Sequence, residues 1–115
     1  MTFSELYTAD KQRYKNNERR GYPLRFIRLI RKCQCSSGLI QLWYRFLYRR
    51  MASQYKLEIP WRLKMGKGLY LGHAYCITVN PEAVIGEWCN IHKGVTIGRQ
   101  NRGKLKGAPT IGNHV

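Results

Sequence analysis

The chain has 115 residues, enough for one small domain or a piece of a larger one. Apolar residues make up 43% and charged residues 23%, which excludes a disordered composition, and 21 Lys and Arg against 6 Asp and Glu give a formal charge of +15 that favours anionic partners. No apolar run reaches the roughly 18 to 20 residues that span a bilayer, and Met1 to Asn17 has no apolar signal core, so a cytoplasmic location is expected.

The first half reads as helices. Thr2-Phe3-Ser4-Glu5 has the spacing of a capping box and opens a helix expected over Phe3 to Asn16. Gly21 and Pro23 read as its stop signals. Leu24 to Cys33 follows as a basic amphipathic helix, with Arg25, Arg28, Arg31 and Lys32 along one side. Ser36-Ser37-Gly38 ends it. A third helix, Leu39 to Tyr55, is apolar nearly all round. Gln41, Arg45, Arg49 and Ser53, spaced by four, form its one polar stripe. Such faces usually pack against each other in a bundle. The sharper alternative is peripheral contact with an anionic membrane at its inner face, because Trp43, Tyr44, Phe46 and Tyr48 lie among arginines. Residues 1–56 carry 13 Lys and Arg against 3 acids, and residues 57–115 carry 8 against 3, so most of the excess charge is N-terminal.

Beyond Lys56 the period changes. Ile59, Met65, Leu71 and Ile77, then Ile85, Ile91 and Ile97, recur every six residues except for one step of eight. Gly follows the aliphatic position at Gly66, Gly72, Gly86, Gly98 and Gly112. A six-residue period fits neither helix nor plain strand; it is that of hexapeptide repeats, each forming one side of a triangular parallel β-helix. The aliphatic residue points inward, and the small residue serves the corner. The repeat breaks after Ile97 and resumes at Thr110-Ile111-Gly112. The interval reads as an external loop whose Arg99, Arg102, Lys104 and Lys106 suit phosphate groups. The fold class is therefore α+β, with a helical region at 1–56 and a β-helix at 57–115.

Gly68-Leu69-Tyr70-Leu71-Gly72-His73, Ile77-Thr78-Val79-Asn80, Ala83-Val84-Ile85-Gly86, Asn90-Ile91, Gly94-Val95-Thr96-Ile97-Gly98 and Ala108-Pro109-Thr110-Ile111-Gly112, in this order and spacing, resemble the serine acetyltransferase group of hexapeptide acyltransferases. A looser likeness of the N-terminal half, through Phe3-Ser4-Glu5-Leu6 and the basic stretch, is to the branch found in capsule and exopolysaccharide gene clusters. The resemblance implies a left-handed β-helix, a homotrimer with sites between neighbouring β-helices, and acetyl transfer from acetyl-CoA to a hydroxyl. It puts His73 at the catalytic base and Glu58 at the carboxylate that orients it. The two are 15 residues apart, close to one solenoid turn of about 18. The expected coenzyme contacts are Gly98 and the basic loop residues Arg99, Arg102, Lys104 and Lys106, whose charge suits the phosphates of coenzyme A. Two positions depart from the group's pattern. Gly72 stands where serine acetyltransferases have an Asp, and Ala108 where they have a second His; both of those hold the amino acid. A sugar hydroxyl is therefore the expected acceptor, with free serine as the alternative. The group continues for several more coils, whereas this chain stops at Val115 within a hexapeptide and reads as a fragment or a truncated frame. An inactive remnant that binds anionic surfaces is the competing class.

The remaining candidates read as structural. His92 points outward as a reserve base. Cys33-x-Cys35 lacks the second pair a zinc site needs, so no metal is expected, and Cys76 and Cys89 suit small buried positions. Trp61 and Trp88 read as coil-packing residues, and Asn80 and Asn90 as polar turn residues. No nucleic-acid recognition motif occurs.

Overall fold

The computed structural model describes residues 1–99 and 107–115. Thr2 Oγ1 accepts the Glu5 amide at 3.2 Å and opens α1 (Phe3–Gln12), as the capping spacing predicts. The helix stops short of Asn16 because the next residues turn to the β-helix. Arg13 donates to the Gly68 carbonyl at 2.8 Å, and the buried Tyr14 hydroxyl receives the Leu71 amide at 2.9 Å. Pro23 is not a stop signal. It lies in the first turn of α2 (Tyr22–Cys35), where its missing N–H costs nothing.

Arg31 does not belong to the basic face. It is wholly buried, with Nε 2.8 Å from Asp10 Oδ2. Its other donors reach the carbonyls of Met65 at 3.1 Å and Gly66 at 2.8 Å, while Asp10 Oδ1 accepts the Leu69 amide at 2.9 Å. One buried ion pair thus ties α1, α2 and the β-helix together, with its lone pairs and protons shared among backbone groups.

Helix α3 (Gly38–Tyr55) closes on Lys56 in the left-handed conformation, whose amide returns to the Ala52 carbonyl. It contains no fully buried residue. Its polar stripe is half turned inward: Gln41 donates to the Cys33 and Ser36 carbonyls, and Arg45 lies over the Trp61 ring. The bundle expected from its apolar surface forms on one side only, through Tyr48, Met51, Ala52 and Tyr55.

Among the described residues eight short strands follow, β1 (Leu57–Glu58), β2 (Lys64–Met65), β3 (Tyr70–Gly72), β4 (Ile77–Val79), β5 (Val84–Ile85), β6 (Asn90–His92), β7 (Thr96–Ile97) and β8 (Thr110–Ile111). Every third strand pairs in parallel, giving the sheets β1-β4-β7, β2-β5-β8 and β3-β6. These are the three walls of a parallel β-helix. Leu57, Ile59, Leu63, Met65, Leu69, Leu71, Ile77, Val79, Ile85 and Ile91 fill its interior. Each wall therefore sends two residues inward, spaced by two, rather than one. The register differs from the sequence reading at one place. Ile77 stacks on Leu57, and Val79, not Ile77, stands in line with Ile97. The extra two residues fall between Leu71 and Ile77, so the first coil takes 20 residues (Leu57 to Ile77) and the next takes 18 (Thr78 to Thr96).

Candidate active site

His73 sits in that enlarged corner. It is exposed, with φ 47°, between buried Gly72 and buried Ala74. Backbone bonds pin the corner to the next coil: the Lys93 amide donates to the Gly72 carbonyl at 3.0 Å and the Gly94 amide to Tyr75 at 3.2 Å. Helical residues brace it from behind. The Tyr22 hydroxyl donates to the Ala74 carbonyl at 2.7 Å while its ring stacks on Tyr55 at 3.6 Å. The helices thus fix the backbone that presents an imidazole to solvent.

Glu58 is exposed on β1 and accepts from Thr78 Oγ1 at 3.3 Å. The 20-residue coil puts Thr78 directly over Glu58, and His73 five residues earlier around the corner. Among the described residues no hydrogen bond or ion pair joins Glu58 to His73. Glu58 and Gly98 do share a groove of about 710 Å³, with Arg45, Tyr48, Trp61 and Thr78 in its walls. Burial pushes the Tyr48 hydroxyl up to about 12, so it stays a donor near neutrality, to the Ile59 carbonyl. Arg45, Tyr48 and Trp61 carry no repeat signal, which is why sequence periodicity does not find this groove. Trp61 is a groove residue, with Arg62 at 4.9 Å over its ring, as well as a packing one. Trp88 packs on Gly68, whose absent side chain leaves room for the indole.

Of the expected phosphate ligands, Gly98 is exposed and Arg99 pairs with Glu82 at 2.5 Å. Arg102, Lys104 and Lys106 lie outside the described residues. His92 stacks directly over Gly72, and a Cβ at residue 72 would collide with the imidazole. Its ring lies 6.1 Å from that of Tyr70, which also has Arg13 over it at 5.7 Å. Asn80 makes the expected turn, its Oδ1 accepting the Glu82 amide at 2.9 Å. Asn90 is a strand residue instead and accepts from Arg13. Cys89 is buried, but Cys76 is exposed, because it stands at the enlarged corner with φ 56°.

No family model matches the chain. Serine acetyltransferases do. That of Synechococcus elongatus is 30% identical over 59 residues, 51% of this chain and 24% of the relative. That of Helicobacter pylori 26695 is 36% identical over 59 residues, 51% of this chain and 34% of the relative. That of Staphylococcus epidermidis RP62A is 33% identical over 76 residues, 62% of this chain and 36% of the relative. The chain thus matches only about a quarter to a third of the length of these relatives. Among solved structures, soybean serine acetyltransferase superposes with a TM-score of 0.74 at 19% identity, over 98% of this chain and 50% of that one. The Entamoeba histolytica isoform 3 enzyme in complex with cysteine gives 0.73 at 22%, over 96% and 44%. The Neisseria gonorrhoeae enzyme in complex with serine gives 0.72 at 23%, over 96% and 50%. In both its helical and its β-helical parts, the chain has the fold of the serine acetyltransferases.

Proposed function

We propose that this protein is an acetyl-CoA-dependent O-acetyltransferase, with residues 57–115 forming part of a left-handed β-helix that works as a homotrimer. The observation that carries the reading is His73, held exposed at a braced corner of a serine acetyltransferase-like solenoid. Its neutral imidazole accepts the proton of an acceptor hydroxyl as that oxygen attacks the thioester carbonyl. The C–S bond then breaks, and the imidazolium returns the proton to the departing thiolate. Glu58 is the proposed orienting carboxylate, and Gly98, Arg99, Arg102, Lys104 and Lys106 the proposed coenzyme ligands.

The names of the relatives support serine as the acceptor. One observation favours a sugar hydroxyl as a second reading. The resemblance assigns an amino acid-holding Asp to the position of Gly72, and here the volume above that position is filled by His92. Thiol release from acetyl-CoA, measured with L-serine and with a panel of sugars, separates the two. Efficient turnover of serine supports the first, and sugar turnover without serine turnover supports the second. No acceptor-dependent release with either would overturn acetyl transfer and leave a binding role.

A further inference from the structure

The outer face of α3 is reversed relative to a helix that packs on its own protein. Leu39 is 84% exposed, Trp43 57% and Phe46 49%, with Ile40 and Leu42 beside them. Positions 39, 43, 46 and 50 fall on one stripe at helical spacing, so the apolar residues run directly into Arg50. Trp43 and Phe46 are in ring contact at 5.9 Å, and Arg50 lies 5.9 Å over Phe46. At that end a groove between α2 and α3 has Arg25, Arg28 and Arg50 at its rim and Leu29, Leu47 and Met51 along it. No acidic side chain is near it in sequence: between Glu18 and Glu58 there are ten Lys and Arg and no Asp or Glu.

We propose that this face is a peripheral docking surface for an anionic lipid bilayer. Leu39, Trp43 and Phe46 enter the interfacial region, and Arg25, Arg28 and Arg50 sit against the phosphates. Charge decides between occupants. A second copy meeting this face about a two-fold axis would oppose arginine cluster to arginine cluster. A nucleic acid would match the arginines but leave the aliphatic side chains against a charged backbone. A negatively charged membrane satisfies both halves, since apolar burial and attraction to acidic headgroups add. No helix among the described residues is long and apolar enough to cross a membrane, so the contact is superficial.

The test is sedimentation of the full chain with vesicles of phosphatidylcholine alone and of phosphatidylcholine with 30 mol% phosphatidylglycerol. Binding is expected only to the second, weakening with salt. Each arginine near the surface contributes about fivefold, so R25Q/R28Q/R50Q lowers partitioning on the order of a hundredfold. W43S/F46S abolishes binding. All five side chains are partly or largely exposed, so the variants keep the fold, which circular dichroism checks. Equal binding to neutral vesicles overturns the proposal, as does retention of vesicle binding by W43S/F46S. Concentration-dependent self-association lost in W43S/F46S, without vesicle binding, overturns it in favour of a second copy.

Discussion

His92 and Gly72 share one volume: the imidazole, one coil above, occupies the space a side chain at residue 72 needs. The two positions are therefore coupled, and Gly72→Asp forces the His92 ring to swing out. Gly72 has no left-handed backbone to preserve, so the strain is steric alone. In thermal melts, G72D is expected to destabilise the protein and H92A to change little. The double variant recovers about 1 kcal/mol of the loss. Additivity of the two would show that the ring is not what excludes a carboxylate here.

The same pair bears on acceptor choice. If Gly72 turns the site away from free serine, G72D/H92A is expected to raise kcat/KM for serine relative to any sugar acceptor. An unchanged ratio counts against the sugar reading.

Asp10 and Arg31 make a different kind of pair, buried and fully engaged. Asp10→Asn leaves the guanidinium buried without its counter-charge, which costs about 3–5 kcal/mol. The midpoint of urea unfolding measures it. A loss below about 1 kcal/mol would mean that the pair does not hold the helices to the β-helix.

The sequence exposes some of this and hides the rest for physical reasons. The hexapeptide period survives because inward residues must stack coil on coil, and Ile59, Met65, Leu71, Ile85 and Ile91 all lie inside. The two-residue surplus is visible as a step of eight, but not its place: Ile77 and Val79 are equally aliphatic, and only the pairing of Leu57 with Ile77 decides between them. Arg31 is indistinguishable from Arg28 in a list of basic residues, because its partner Asp10 is 21 positions away on another helix. Likewise the α3 pattern is plain, but which side turns outward depends on Gln41 finding the free carbonyls at the end of α2.

The four cysteines are free, and burial separates them. Burial pushes the Cys33 thiol up to about 11, whereas Cys35 and Cys76 are exposed. At pH 8 a water-soluble disulfide reagent is expected to modify Cys35 and Cys76 rapidly and Cys33 only on unfolding. Stability follows from the same direction. An acid held neutral in the folded state at a raised value binds a proton that the unfolded chain has already lost. The contribution of the Cys33 thiol is therefore fully present below pH 9 and is lost as pH rises from 9 towards 11, with Tyr48 extending the loss towards 12. C33A is expected to flatten the first part of that decline in melts taken between pH 8 and 11. An unchanged slope would assign the decline to Tyr48 and the other phenols.

His73 offers the sharpest test because its backbone and its ring can be separated. Its φ of 47° is left-handed, a conformation Asn tolerates better than Ala. H73N therefore keeps the corner with its Tyr22 and Lys93 contacts while removing the base. Acetyl transfer is expected to fall about 10²–10⁴-fold with an unchanged melting temperature. H73A loses activity too but also costs stability, so on its own it does not distinguish chemistry from a loosened turn. H92A, with the corner untouched, is expected to retain most of the activity. Should H73N stay active while H92A does not, the base is the imidazole stacked on Gly72, and the assignment by resemblance is wrong by one coil.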